Sequence, residues 1–143
     1  SQILTTSALP GYLAKHDAGE EGADEALILN ERSLLTGGSA SGIFMVTGHM
    51  LLTPPLKNGV LPGVTREAIL EIASDSGIEA GEWAIKEKDI FQAQEAFLTS
   101  SLLEVMPLTQ VSGQLIGTGK PGPVTRKLTS AYKKLVRKET SGE

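Results

Sequence analysis

A chain of 143 residues, 40% of them hydrophobic and 21% charged, has the length of one domain and the balance of an ordinary globular fold. The absence of cysteine excludes disulfide scaffolds, cysteine-ligated zinc, iron–sulfur clusters and thiol nucleophiles. A net charge of −4 argues against a nucleic-acid partner, and the lack of a long apolar run or a charged-then-apolar leader leads to the expectation of no membrane partner and a cytoplasmic location.

Leu9, Tyr12, Leu13 and His16 recur at helical spacing, with Pro10 in the first turn, which predicts a helix over about residues 8–20. Residues 25–29 form a short apolar run closed by Asn30, Glu31 and Arg32. Leu34, Leu35 and Thr36 then lead into the Gly- and Ser-rich stretch 37–42, so this region reads as strand, turn, strand, loop. The β-branched and aromatic run 43–47, the turn pair Gly48-His49 and the run 50–53 predict a hairpin. Thr65 is placed to cap a helix whose apolar face is Ile69, Ile72 and Ala73 and whose stop is Gly77. Residues 82–85 read as a strand, 87–92 as one or two helical turns, and 95–99 as another strand. The segment 105–108 continues the sheet, with Pro107 favouring an edge or bulge. Leu128, Ala131, Tyr132, Leu135 and Val136 give the stripe of an amphipathic helix. No repeat or linker divides the chain, so a single α/β domain over 1–143 is expected.

Most generic motifs fail on inspection. In Gly117-Thr118-Gly119-Lys120 the first glycine of a P-loop would have to stand at Gln114 and the metal-binding hydroxyl at Pro121. The run 38–42 lacks nucleophile-elbow spacing, and neither His16 nor His49 has an acidic orienter close in sequence, so no metal ligand or catalytic base is assigned. The acids Glu20, Glu21, Asp24 and Glu25 read as a solvated loop. The lysines and arginine of 127–138 read as the polar face of the last helix. Three small, hydroxyl-rich segments remain, at 39–42, 63–65 and 99–101. Each alone is a cap or turn, whereas together they would make an anion cup, because a helix N-terminus and neighbouring hydroxyls satisfy a phosphate.

These segments carry a resemblance. Leu-Pro-x-x-Leu-Ala-Lys at 9–15, Gly-Ala-Asp-Glu-Ala-Leu at 22–27 and Leu-Leu-Thr-x-Gly-Ser-Ala-Ser at 34–41 resemble the C-terminal half of class IV (fold type IV) pyridoxal-phosphate enzymes. So do Leu-Pro-Gly-Val-Thr-Arg at 61–66, Phe-Leu-Thr-Ser-Ser-Leu-x-Glu-Val-x-Pro at 97–107 and Gly-Lys-Pro-Gly-Pro-Val-Thr-Arg-Lys-Leu at 119–128. The family holds branched-chain aminotransferases, D-amino acid aminotransferases and aminodeoxychorismate lyases. The resemblance implies a mixed sheet or pseudo-barrel with packed helices.

It also implies that Val64 and Thr65 offer an amide and a hydroxyl to the cofactor phosphate, that Ser100 and Ser101 complete the cup, and that Leu61 lies against the pyridine ring. The family's lysine, which bonds the cofactor covalently, falls at Leu4, eleven residues before Lys15. The glutamate that pairs with the pyridine nitrogen falls at Gly37, and a family asparagine falls at Gly42. Without the amine there is no covalent attachment and no acid–base group for the proton shift, and without the carboxylate the electron sink is weakened. The expectation is a catalytically inactive domain, lacking the family's N-terminal domain, that keeps at most a phosphate cup. Weak or no binding of pyridoxal phosphate is expected, with phosphate or sulfate as the ligand and a homodimer left open. Two other readings stand beside it: half of a functional aminotransferase or lyase completed by another chain, and a structural domain with no ligand.

Overall fold

The computed structural model describes residues 2–7, 25–29, 32–38, 41–56, 63–100, 104–111 and 114–141. In chain order these are β1 (Gln2–Ser7), β2 (Glu25–Leu29), β3 (Leu35–Gly38), β4 (Gly42–Thr47) and β5 (Met50–Thr53). Helix α1 (Val64–Asp75), β6 (Glu79–Glu82), α2 (Glu87–Gln92), β7 (Glu95–Ser100) and β8 (Glu104–Pro107) follow. The chain closes with β9 (Gln110–Val111), β10 (Gln114–Leu115) and α3 (Pro123–Ser141).

Two mixed five-stranded sheets result, ordered β10-β9-β1-β2-β3 and β6-β5-β4-β7-β8. In the first, β1 runs parallel to both β2 and β9. In the second, only the β5–β6 pair is parallel. The central strands of the second sheet are apolar on both faces because each face meets a different core. Ile43 and Met45 of β4 and Leu98 of β7 join Leu27, Leu35 and Val111 from the first sheet in one cluster. Phe44, Val46 and Phe97 point the other way, onto Ile69 and Ala73 of α1 and Leu128 and Tyr132 of α3. The Phe44 and Phe97 rings stack there with centroids 5.1 Å apart. The molecule is thus layered as sheet, sheet, helices, the mixed α/β architecture expected from the sequence.

The hairpin over 43–53 is present, with Met45 opposite Leu52 and Gly48 supplying the positive φ of 61° that the turn requires. Helix α1 ends as expected at Gly77 (φ 75°), and the Ile78 amide donates back to the Ala73 carbonyl at 2.9 Å. Pro107 sits on the outer strand β8, where a missing N–H is tolerated. The strand at 25–29, the turns at 87–92, the strand at 95–99 and the final amphipathic helix also lie where the patterns put them.

Two expectations change. The N-cap of α1 is Gly63, in extended conformation, and Thr65 lies inside the first turn. The Thr65 hydroxyl finds a partner on another helix instead of capping its own. The strand expected at 82–85 lies at 79–82, an edge strand whose residues are largely exposed and so carry no apolar pattern. Residues 83–85 lie beyond the strand, with the Trp83 amide still donating to the Thr53 carbonyl at 2.9 Å and the Ile85 carbonyl accepting from the Leu35 amide at 2.8 Å. Strands β1, β9 and β10 were not legible as strands, since none shows a strong alternation. The helix expected over 8–20 lies outside the described residues. Among the described residues no helix is long and apolar enough to cross a membrane.

Candidate functional site

Helix α1 opens without a side-chain cap. Its first ladder bond runs from the Glu67 amide to the Gly63 carbonyl at 3.1 Å, so the amides of Val64, Thr65 and Arg66 precede the ladder and need partners outside it. Val64 is 86% exposed, whereas Thr65 and Arg66 beside it are each 3% exposed. The turn therefore presents one side chain to the surface and sends the next two inward.

Arg66 fixes this start to the sheet. One guanidinium nitrogen bonds the Glu82 carboxylate at 2.8 Å and the Pro54 carbonyl at 3.2 Å, and the other bonds Glu67 at 2.8 Å. It therefore ties the first turn of α1 to the ends of β5 and β6. The Thr65 hydroxyl stands 3.2 Å from the Tyr132 hydroxyl of α3, inside the helix–sheet core.

The start of α3 shows what such a first turn does with an anion. Its sequence, Gly122-Pro123-Val124-Thr125-Arg126, repeats the Gly-(x)-Val-Thr-Arg signature of residues 63–66 with one proline inserted. Here the Arg126 amide reaches the Gly122 carbonyl at 3.0 Å. The Glu95 carboxylate fills the turn, one oxygen accepting from the Thr125 amide at 2.8 Å and the other from the Val124 amide at 3.2 Å. Glu95 is 7% exposed, and a Cβ at position 122 would fall onto its carboxylate, so any larger residue there would displace it. The same local sequence opens both helices: Glu95 fills the turn of α3, and the N-cap of α1 is a glycine with no side chain to do so.

Of the other residues expected at the site, Ser100 ends β7 opposite Glu104 of β8. Glu104 has a left-handed φ of 58°, an uncommon conformation for glutamate. Leu61 and Ser101 lie outside the described residues. The two departures fall in the first sheet: Leu4 of β1 pairs with Ala26 of β2, and Gly37 of β3 pairs with Ile28 of the same strand. The fold thus brings positions 4 and 37 into three adjacent strands. Gly37 is buried with a φ of 143°, and a Cβ there would fall onto the Ser41 carbonyl oxygen. At Gly42 a Cβ would stand 2.9 Å from the Thr99 hydroxyl oxygen. The backbone here is fitted to glycine, leaving no room for a carboxylate side chain at 37.

The Amino-transferase class IV family matches residues 1–111 of this sequence. The chain belongs to the class IV aminotransferase family. It is 32% identical over 131 residues to a putative branched-chain-amino-acid aminotransferase of Methanocaldococcus jannaschii, covering 92% of this chain and 46% of that protein. It is 31% identical over 139 residues to a D-alanine aminotransferase of Bacillus licheniformis, covering 97% of this chain and 49% of that protein. The chain therefore spans about half the length of these relatives. Its fold superposes on the branched-chain amino acid aminotransferase of Thermobaculum terrenum in its PLP-form (holo-form), with a TM-score of 0.89 and 26% identity. That match covers 94% of this chain and 50% of the other.

Tested against the cofactor of that holo-form, the two ends of this chain behave differently. The start of α1 has backbone amides ahead of the helical ladder and the Thr65 hydroxyl near them, groups that suit a phosphate, while the Arg66 charge is already paired with Glu67 and Glu82. At the positions that the resemblance assigns to the ring end, position 4 carries no amine, and position 37 has neither a carboxylate nor space for one. Sequence reasoning missed Arg66, Glu95 and Tyr132. The repeated Val-Thr-Arg at 64–66 and 124–126 is the signal that could have exposed the paired helix starts.

Proposed function

We propose that this chain is a single class IV folding unit that holds a phosphate at the first turn of α1 and performs no transamination by itself. The observation that carries the reading is the contrast between the two helix starts. The Val124 and Thr125 amides hold a carboxylate, while the N-cap of α1 is Gly63, which has no side chain to offer the corresponding amides of Thr65 and Arg66. Backbone amides aimed along a helix axis bind anions without any covalent group. Ser100, Ser101 and Leu61 are the further candidates around that anion. The loss of catalysis rests on Leu4 and Gly37: no residue at either position can attach a carbonyl, move its proton or hold a pyridinium. No reaction step is assigned to this chain.

The experiment titrates the parent protein and Thr65→Val with inorganic phosphate by calorimetry, then treats the parent with pyridoxal 5′-phosphate and borohydride before peptide mass mapping. A millimolar phosphate affinity, about −4 kcal/mol, is expected for the parent and a weaker one for the variant. Borohydride should trap only scattered surface-lysine adducts. One stoichiometric adduct on a single lysine, together with turnover of an amino donor, would refute the inactive assignment. Equal phosphate titrations for parent and variant would refute the Thr65 site.

A further inference from the structure

The Thr65 hydroxyl does not stand alone in the first turn of α1. It lies 3.2 Å from the hydroxyl of Tyr132, a residue 67 positions later on α3. Thr65 is 3% exposed and Tyr132 9%, so solvent has little access to either residue. The tyrosine ring packs in the cluster of Leu128, Ile69, Ala73 and Phe97, which fixes where its hydroxyl ends. Helix α3 is itself positioned by the Glu95 carboxylate at its start. The tyrosine is thereby a fixed point against which the threonine rotor is set.

Each hydroxyl has one proton to give and lone pairs to accept with. If Thr65 donates to Tyr132, its proton is used and the oxygen turns a lone pair toward any anion at the helix start. If Tyr132 donates to Thr65, the threonine proton is free for the anion. The donation also polarises the threonine O–H, which strengthens the bond it gives. An anion at α1 therefore selects the second arrangement.

We propose that Tyr132 is a positioning residue for the phosphate site: it donates to Thr65 and so aims the Thr65 proton at the ligand without touching the ligand itself. This rests on the reading that the first turn of α1 holds a phosphate. Tyr132→Phe keeps the ring and its packing and removes only the donor. The loss expected is about five-fold in phosphate affinity, the range for one neutral hydrogen bond.

The test is a double-mutant cycle on the full chain: parent, Thr65→Val, Tyr132→Phe and the double variant. Each is titrated with inorganic phosphate by phosphorus NMR, and its thermal unfolding is recorded. Tyr132→Phe should weaken binding in the parent background and leave Thr65→Val no weaker than it already is, because the tyrosine acts through that hydroxyl. A merely structural tyrosine would lower the melting temperature with the affinity unchanged, or weaken both backgrounds equally, and either result overturns the proposal. Should Thr65→Val bind phosphate as well as the parent, the phosphate site itself is wrong, and the proposal falls with it. Loss on Thr65→Val without loss on Tyr132→Phe leaves the site standing and removes only the role of Tyr132.

Discussion

Replacing Glu95 by glutamine isolates the anion that the protein carries at the start of α3. The substitution preserves shape and volume, so packing against Gly122 is kept and only the acceptor chemistry changes. In the parent both carboxylate oxygens are used, at 2.8 Å to the Thr125 amide and 3.2 Å to the Val124 amide. A carboxamide has one acceptor oxygen, and its NH2 group would face the other backbone N–H. A buried donor left without a partner costs about 1–3 kcal/mol, and losing a negative charge from a helix N-terminus costs about 0.3–1 kcal/mol. We therefore expect Glu95→Gln to lose about 3 kcal/mol, which at this chain length corresponds to a fall in Tm of roughly 10 °C. Urea denaturation with an unchanged m-value gives the free energy. Amide hydrogen exchange should show faster exchange at Val124 and Thr125 in particular. A loss below about 0.5 kcal/mol, the level of an unremarkable surface change, would show that the carboxylate is not what holds the turn. Gly122→Ala supplies a second route to the same end, since its methyl would displace the carboxylate. The two changes together should cost less than their sum, because they remove one interaction.

Further outcomes follow from the same geometry. Arg66→Met should cost about 1–3 kcal/mol in urea denaturation, because the Pro54 carbonyl loses its charged donor while half-exposed Glu82 returns to water; an unchanged midpoint would refute the anchoring role of Arg66. Gly37→Glu should destabilise the protein by at least about 2 kcal/mol, since a side chain at that φ meets the Ser41 carbonyl, and a variant as stable as the parent would show that the loop reopens freely. Adding Leu4→Lys to Gly37→Glu should give no amino-donor turnover, measured by keto-acid formation, unless the backbone at 37–41 is also rebuilt. Phe97→Ala should lose about 3–5 kcal/mol by chemical denaturation, as it empties the stack with Phe44 between the second sheet and the helices.

The parts of this fold that announce themselves along the chain are those whose burial is local in pattern. The stripe through Leu128, Tyr132 and Leu135 and the hairpin about Gly48-His49 were legible because periodicity and turn chemistry are written within a few residues. So was the family, since its signature is a set of short segments in order. Edge strand β6 and the short β9 and β10 were not, because a largely exposed or two-residue strand takes its identity from its neighbour. The same holds for the site. Val64 and Thr65 can be picked out by their place near a helix start, but which residue caps the helix was decided by the backbone at Gly63. What faces the Thr65 hydroxyl depended on a helix 67 residues away, and the filling of the Val-Thr-Arg turn of α3 depended on where β7 delivers Glu95. Sequence names the groups that can donate and accept; long-range packing decides which of them are already spent on one another.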